Sequence, residues 1–200
     1  MSNLYNFPSH FVYWEKIKNH KEIKENILPL ILEHSDRLSY TSDESTIDYF
    51  KKYKCRTDFF SKDNFLNNLF REYRYEDIII WNTIDNLLAH KDLKISHSPK
   101  ESNIIKIWYN VYSPGGYHNV HTHGYSPGFS GIYILDLKEK NSTTFFNGGE
   151  TFLEETFELS DVEEGTVVIF LNSLKHFVQP CLKNRVTLSF NINSPKITKN

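Results

Sequence analysis

The spacing of apolar positions along this 200-residue chain changes character near residue 100. Before that point the repeat is mostly helical. Phe11 to Ile17 reads as a short strand, and Asn19 then offers an N-cap. The helix it starts runs to about His34, with Ile23, Ile27, Leu30 and Ile31 on one face. Pro29 falls inside this run and is expected to kink the helix or move its start. A second helix is predicted over Glu76 to His90, with Ile79, Ile80, Ile84, Leu87 and Leu88 in one stripe. Residues 35 to 75 are polar and tyrosine-rich and read as loops with short helical turns.

Beyond residue 100 the pattern is that of strands. The candidates are Ile104–Tyr112, Tyr117–His121, Phe129–Leu137, Thr143–Phe146, Glu150–Leu159, Thr166–Leu171, His176–Cys181 and Arg185–Asn193. Gly, Pro, Asn and Ser clusters separate them. Short strands in close succession with no helix between them predict a mainly β chain. Its core is expected to be a double-stranded β-helix, the jelly roll of cupin-like proteins, with the N-terminal helices packed on one sheet. Residues 1–200 then form a single domain, with 1–100 as helical support and 101–195 as the jelly-roll core.

Composition narrows the function classes. Fifteen Phe, twelve Tyr and three Trp against one Met supply much of the core. The net charge of −2 lacks the basic surplus of a nucleic-acid or anionic-membrane coat. Cys55 and Cys181 form no CxxC pair, so neither a disulfide framework nor a zinc ribbon is expected. No signal-peptide pattern opens the chain and no window reaches the ~18 apolar residues of a membrane span. The expectation is a cytoplasmic protein without nucleic-acid or membrane partners.

The chemistry concentrates in four residues. His121 and His123 are two apart, so on a strand both imidazoles point to one face. His176 follows from a distant strand and is the third imidazole available in this half of the chain. Three imidazoles suit a first-row divalent metal and leave open positions for other ligands. Arg185, Thr187 and Ser189 alternate along the last strand and share one face. If that face looks inward, Arg185 needs an anionic partner, which a bound dicarboxylate supplies. The alternative is an exposed arginine paired with a surface acid. His118 lies three before His121, so on a regular strand it faces the other way, outside the metal shell.

From Trp108 to Asn193 the sequence resembles the iron(II)- and 2-oxoglutarate-dependent oxygenases. More narrowly it resembles a small oxygenase family common in phages and marine bacteria. Asn110-Val111-Tyr112, Gly115-Gly116, His121-Thr122-His123, Ser130-Gly131-Ile132-Tyr133 and Arg185-Val186-Thr187-Leu188-Ser189-Phe190-Asn191 carry the likeness, in order. Gly148-Gly149-Glu150-Thr151-Phe152 also resembles a segment of prolyl 4-hydroxylase-type members. The resemblance implies a hydroxylase with Fe(II) and 2-oxoglutarate as cofactors. It implies His121 as first metal ligand, His176 as the distal one, Arg185 on the far carboxylate of 2-oxoglutarate and Thr187 as its helper. Asn110 and Tyr112 become candidates to touch the cosubstrate. A phage origin would place the protein in the host cytoplasm.

The chain departs from the family at position 123, where the common motif carries a carboxylate. Three outcomes stay open. His123 is itself a ligand, Glu150 swings in as the carboxylate, or the centre is inactive. Gly124 in place of Pro, and Leu171-Asn172 in place of Pro-Ser, are milder departures. Two further readings stand beside the oxygenase: a three-histidine cupin-type enzyme that does not use 2-oxoglutarate, and a non-catalytic metal-binding jelly roll. The entrance is expected in residues 35–75 and 113–129, with Tyr117, Tyr125 and Phe129 lining it.

Overall fold

The computed structural model describes residues 2–6, 10–41, 44–63, 65–93, 95–96, 102–124, 127–139, 143–146, 156–159, 162–194 and 198–199. Its strands build two antiparallel sheets. The larger sheet is ordered β1-β2-β10-β7-β12-β5-β3. These are β1 Ser2–Asn6, β2 Phe11–Lys16, β10 Thr166–Leu171, β7 Gly128–Leu137, β12 Arg185–Asn193, β5 Asn103–Tyr112 and β3 Cys55–Thr57. The smaller sheet is ordered β6-β11-β8-β9, from β6 His118–His121, β11 His176–Val178, β8 Thr143–Phe146 and β9 Thr156–Leu159. A short ladder joins β4 Ile95–Ser96 to β13 Thr198–Lys199. Two such sheets face to face make the jelly roll expected from the sequence.

Both faces of the larger sheet are covered, and strand parity decides what goes where. Val186, Leu188, Phe190 and Ile192 of β12 point to one side, with Tyr109 and Val111 of β5 and Tyr133 of β7. Helix α1, His20–Thr41, lays Ile23, Ile27 and Ile31 on that side. Helix α3, Phe65–Glu72, adds Leu66, Leu69 and Phe70. A π-helical turn at Glu76–Trp81 runs on into α4, Asn82–Leu88, and contributes Ile79, Ile80, Ile84 and Leu87. The opposite parity faces into the roll, where Val12, Ile132, Ile134, Val168 and Phe170 meet Leu159, Val162 and Leu174.

Three expectations need correction. Helix α1 runs on through Pro29. Pro29 is exposed, so its ring and missing N–H fall on the water side, where solvent takes the freed Glu25 carbonyl. Leu30 is also exposed, and His34 completes the buried stripe in its place. Residues 35–75 hold more order than short turns. They carry the ten-residue helix α2, Glu44–Tyr53, as well as α3 and the edge strand β3. The amino terminus adds β1, which pairs with β2 from Ser2↔Glu15 to Asn6↔Phe11. Of the predicted strand Glu150–Leu159, residues 156–159 form β9, whereas Glu150 lies outside the described residues, as does Tyr125.

Candidate metal centre

His121 closes β6 and His176 opens β11, and the two are direct partners across the strands. His123 follows β6, held where its backbone N–H donates to the Asn172 carbonyl at 2.9 Å. This brings one ring nitrogen from each of His121, His123 and His176 within 4.8 Å of the others. The Nε2 atoms of His123 and His176 stand 3.2 Å apart. Nitrogens each ~2.1 Å from one ion, at right angles, are about 3 Å apart. The set therefore matches a metal shell in size.

Tautomers are fixed from behind. His121 Nδ1–H donates to the Asn119 carbonyl at 2.8 Å, and His176 Nδ1–H to the Leu174 carbonyl at 3.0 Å. A carbonyl only accepts, so Nε2 of each ring keeps its lone pair for a metal. His123 is oriented by the Asn191 carboxamide and by the Trp108 indole, whose centroid stacks at 5.7 Å. Phe170 packs edge-on against both His123 and His176. Burial lowers the pKa of all three imidazoles, that of His123 to about 4 and that of His176 well below its usual value. They are neutral donors at pH 7. No carboxylate belongs to this group among the described residues.

A fourth imidazole joins them. His118 stacks within 4.0 Å of His121, although an offset of three on a regular strand puts them on opposite faces. The pairing His176↔His121 and Val178↔His118 explains this. Three steps along β6 match two along β11, so a bulge turns His118 to the metal side. Tyr49 of α2 holds it through a 3.1 Å hydrogen bond between its hydroxyl and His118 Nε2. Burial, then the neighbouring imidazoles and Arg185, push the His118 pKa down to about 3.

Arg185 faces inward at the start of β12 and is 2% exposed. Its guanidinium lies 4.4 Å over the Tyr112 ring. Its Nε has no hydrogen-bond partner, and none of the ion pairs among the described residues involves it. Ring stacking offsets part of the cost of burying this charge, but no carboxylate among the described residues neutralises it. Thr187 and Ser189 line the same chamber, together with Asn110, Tyr112 and the histidines. Asn110 Nδ2–H donates to Ser189 Oγ at 3.1 Å. The seven residues expected to hold the metal or the cosubstrate thus border one chamber: His121, His123, His176, Arg185, Thr187, Asn110 and Tyr112.

A second chamber of about 410 Å³ opens outward from this one and shares Trp108, Asn110, His118, His121 and His123 with it. Its outer wall is Tyr49, Thr57, Phe59 and Phe60, all from residues 35–75, the region expected to form the entrance. Phe129 does not belong there. It is fully buried on the helix side, because its parity along β7 is that of Tyr133. Tyr117 is half-buried against Tyr53, 5.5 Å away, and is not part of this wall. Trp108 and Asn191 were missed, although both share the parity of residues already chosen on β5 and β12.

No protein-family model and no curated protein matches the sequence. Solved structures do. The chain is similar to a viral collagen prolyl hydroxylase from Paramecium bursaria Chlorella virus-1, solved as a 2OG complex. Identity is 15%, the TM-score is 0.51, and the match covers 90% of this chain and 94% of that one. It also resembles a 2OG-Fe(II) oxygenase-family oxidoreductase from Burkholderia pseudomallei (16% identity, TM-score 0.39, 46% of this chain and 45% of that one). A Pseudomonas putida prolyl-4-hydroxylase follows at 17% identity and TM-score 0.35, over 44% and 47%. The chain spans less than half the length of these last two. At such identities the viral enzyme establishes a shared fold.

Proposed function

We propose that this chain is an iron(II)- and 2-oxoglutarate-dependent oxygenase that hydroxylates a C–H bond of an amino-acid, peptide or small-molecule substrate. The observation that carries the reading is a buried arginine paired with no carboxylate among the described residues, facing the same chamber as three converging imidazoles. The fold shared with the viral enzyme is consistent with it.

His121, His123 and His176 would hold the metal through three nitrogens, with His123 in place of the usual carboxylate. When bound, iron(II) with 2-oxoglutarate supplies oxidative decarboxylation coupled to oxygen insertion. The chain's own residues do the rest. Carbonyls of Asn119 and Leu174 hold two rings in their metal-binding tautomer. Arg185 takes the distal carboxylate of the diacid in two-point contact, and Thr187 lies on the same face to add a hydroxyl. Tyr112 packs under the guanidinium, and Asn110 with Ser189 lines the wall. Burial pushes the Tyr112 phenol up, so it stays a neutral hydrogen-bonding group. Trp108 and Phe170 pack against the His123 and His176 rings and hold them in place.

Succinate release under iron(II), 2-oxoglutarate and oxygen tests the reading directly. Turnover is expected, and none with or without added substrate would sink it. Arg185→Ala should abolish saturation by 2-oxoglutarate while calorimetry still detects iron(II) binding. If the variant kept activity, the three-histidine enzyme that needs no diacid would replace this proposal.

A further inference from the structure

With the inner chamber read as the seat of the diacid, we infer that the outer chamber selects an uncharged apolar ring as the group presented for reaction. Five rings form a continuous arc around it. Trp108 stacks on His123, and Phe59 meets Trp108 edge-on at 5.2 Å. Phe60 meets Phe59 at 5.2 Å, Tyr49 meets Phe60 at 5.5 Å, and His118 meets Tyr49 at 5.8 Å. The arc begins beside one metal-site imidazole and ends beside another, so a guest held by it lies next to the centre.

The remaining lining is Thr57, Asn110, Thr122 and Asn191, with the site imidazoles His121 and His123. Among the described residues no Asp, Glu, Lys or Arg lines this chamber. The chamber's volume of about 410 Å³ is that of a small-molecule site. An ionised ammonium entering it loses water and finds no counter-charge, whereas a carboxylate meets the positive charge of the centre behind. Aromatic walls also attract quaternary ammonium groups. Here Arg185, buried in the chamber behind, is itself positive and repels them. A carboxylate is drawn past the rings to that arginine instead. What remains is a neutral ring, which gains from the burial of apolar surface.

The indole N–H signal of Trp108 in NMR spectra reads occupancy. The chain has three tryptophans, and Trp108→Phe identifies the signal. The full-length chain would be titrated with and without zinc(II) and 2-oxoglutarate. Four probes serve: benzyl alcohol as the bare ring, N-acetylphenylalaninamide as the same ring on a neutral peptide unit, free phenylalanine and tetramethylammonium. Saturable shifts are expected from the first two. Equal affinities for both place the recognition in the ring alone, and a tighter amide adds the peptide unit to it. Free phenylalanine should bind about tenfold more weakly or worse, and tetramethylammonium should leave the signal unmoved. Equal binding of either charged probe overturns the inference, as does the lack of a saturable shift with both neutral ones. Phe60 is 37% exposed, so its replacement should spare the fold. Phe60→Asp should weaken the neutral probes about tenfold, with Phe60→Leu as a milder check, and unchanged affinity in both counts against the arc. Succinate release is measured separately. Its loss with probe selectivity intact sinks the oxygenase reading alone, and the converse sinks only the selectivity.

Discussion

Arg185 and Asp58 are both charged residues placed where water is scarce, and they make opposite demands. Arg185 has lost hydration without pairing with a carboxylate among the described residues. Arg185→Met should therefore leave thermal stability without diacid unchanged or raise it, by about 1–3 kcal/mol. It should also erase any stabilisation by 2-oxoglutarate, which for the parent reaches about 2.7 kcal/mol at a hundredfold excess over Kd. Thermal melts with and without diacid check both. Asp58 is a carboxyl that accepts the Tyr109 N–H at 2.7 Å, and burial pushes its pKa up to about 7. An acid with a raised folded pKa favours folding in its protonated form. Its penalty begins as pH rises past the unfolded value near 4 and is complete above 7. Asp58→Asn keeps the accepting oxygen, so its gain in melting temperature should grow from pH 4 to 7 and then level off. A gain that does not vary with pH would show that the carboxyl is not held protonated.

At the scale of elements, strand parity was the legible quantity. It placed Arg185, Thr187 and Ser189 together, and likewise Asn110 and Tyr112, because β5 and β12 are long ladders with helices on one side. Parity fails where a ladder slips. One extra residue in β6 reverses the expected direction of His118, and nothing in its residue types announces the bulge. The edge strands were invisible for another reason. The three residues of β3 are too few to show a period, and β1 is polar and largely exposed. Gly131 marks the opposite extreme. It sits opposite Phe190, and an added Cβ would come within 2.0 Å of that ring. Gly131→Ala should cost about 1–3 kcal/mol in chemical denaturation through this clash. A neutral result would mean that the Phe190 ring can turn aside.

For the molecule as a whole, the first hundred residues are more than support. They contribute β1, β2 and β3 to the larger sheet and helices α1, α3 and α4 over its outer face. A fragment spanning residues 101–200 would expose Tyr109, Tyr133, Leu188 and Phe190, which the helices now cover. It should show no cooperative thermal transition by circular dichroism. A sharp melt would separate the roll from its helices as an independent unit. The division of labour also explains why the entrance could be located only by region. Tyr49, Phe59 and Phe60 reach the cavity through the docking of α2 and β3, and long-range packing of that kind leaves no local spacing to read.

A donor set made only of imidazoles also sets the tone of the cavity floor. Neutral nitrogens cancel none of a dication's charge, and the guanidinium across the chamber adds to it. Until a dianion arrives, a loaded centre would carry an excess of about three positive charges in a dry enclosure. Such a floor would be an anion trap. Small polycarboxylates and phosphate in a buffer should compete for it far more strongly than at a centre already bearing a carboxylate, so the choice of buffer anion should govern how readily 2-oxoglutarate enters.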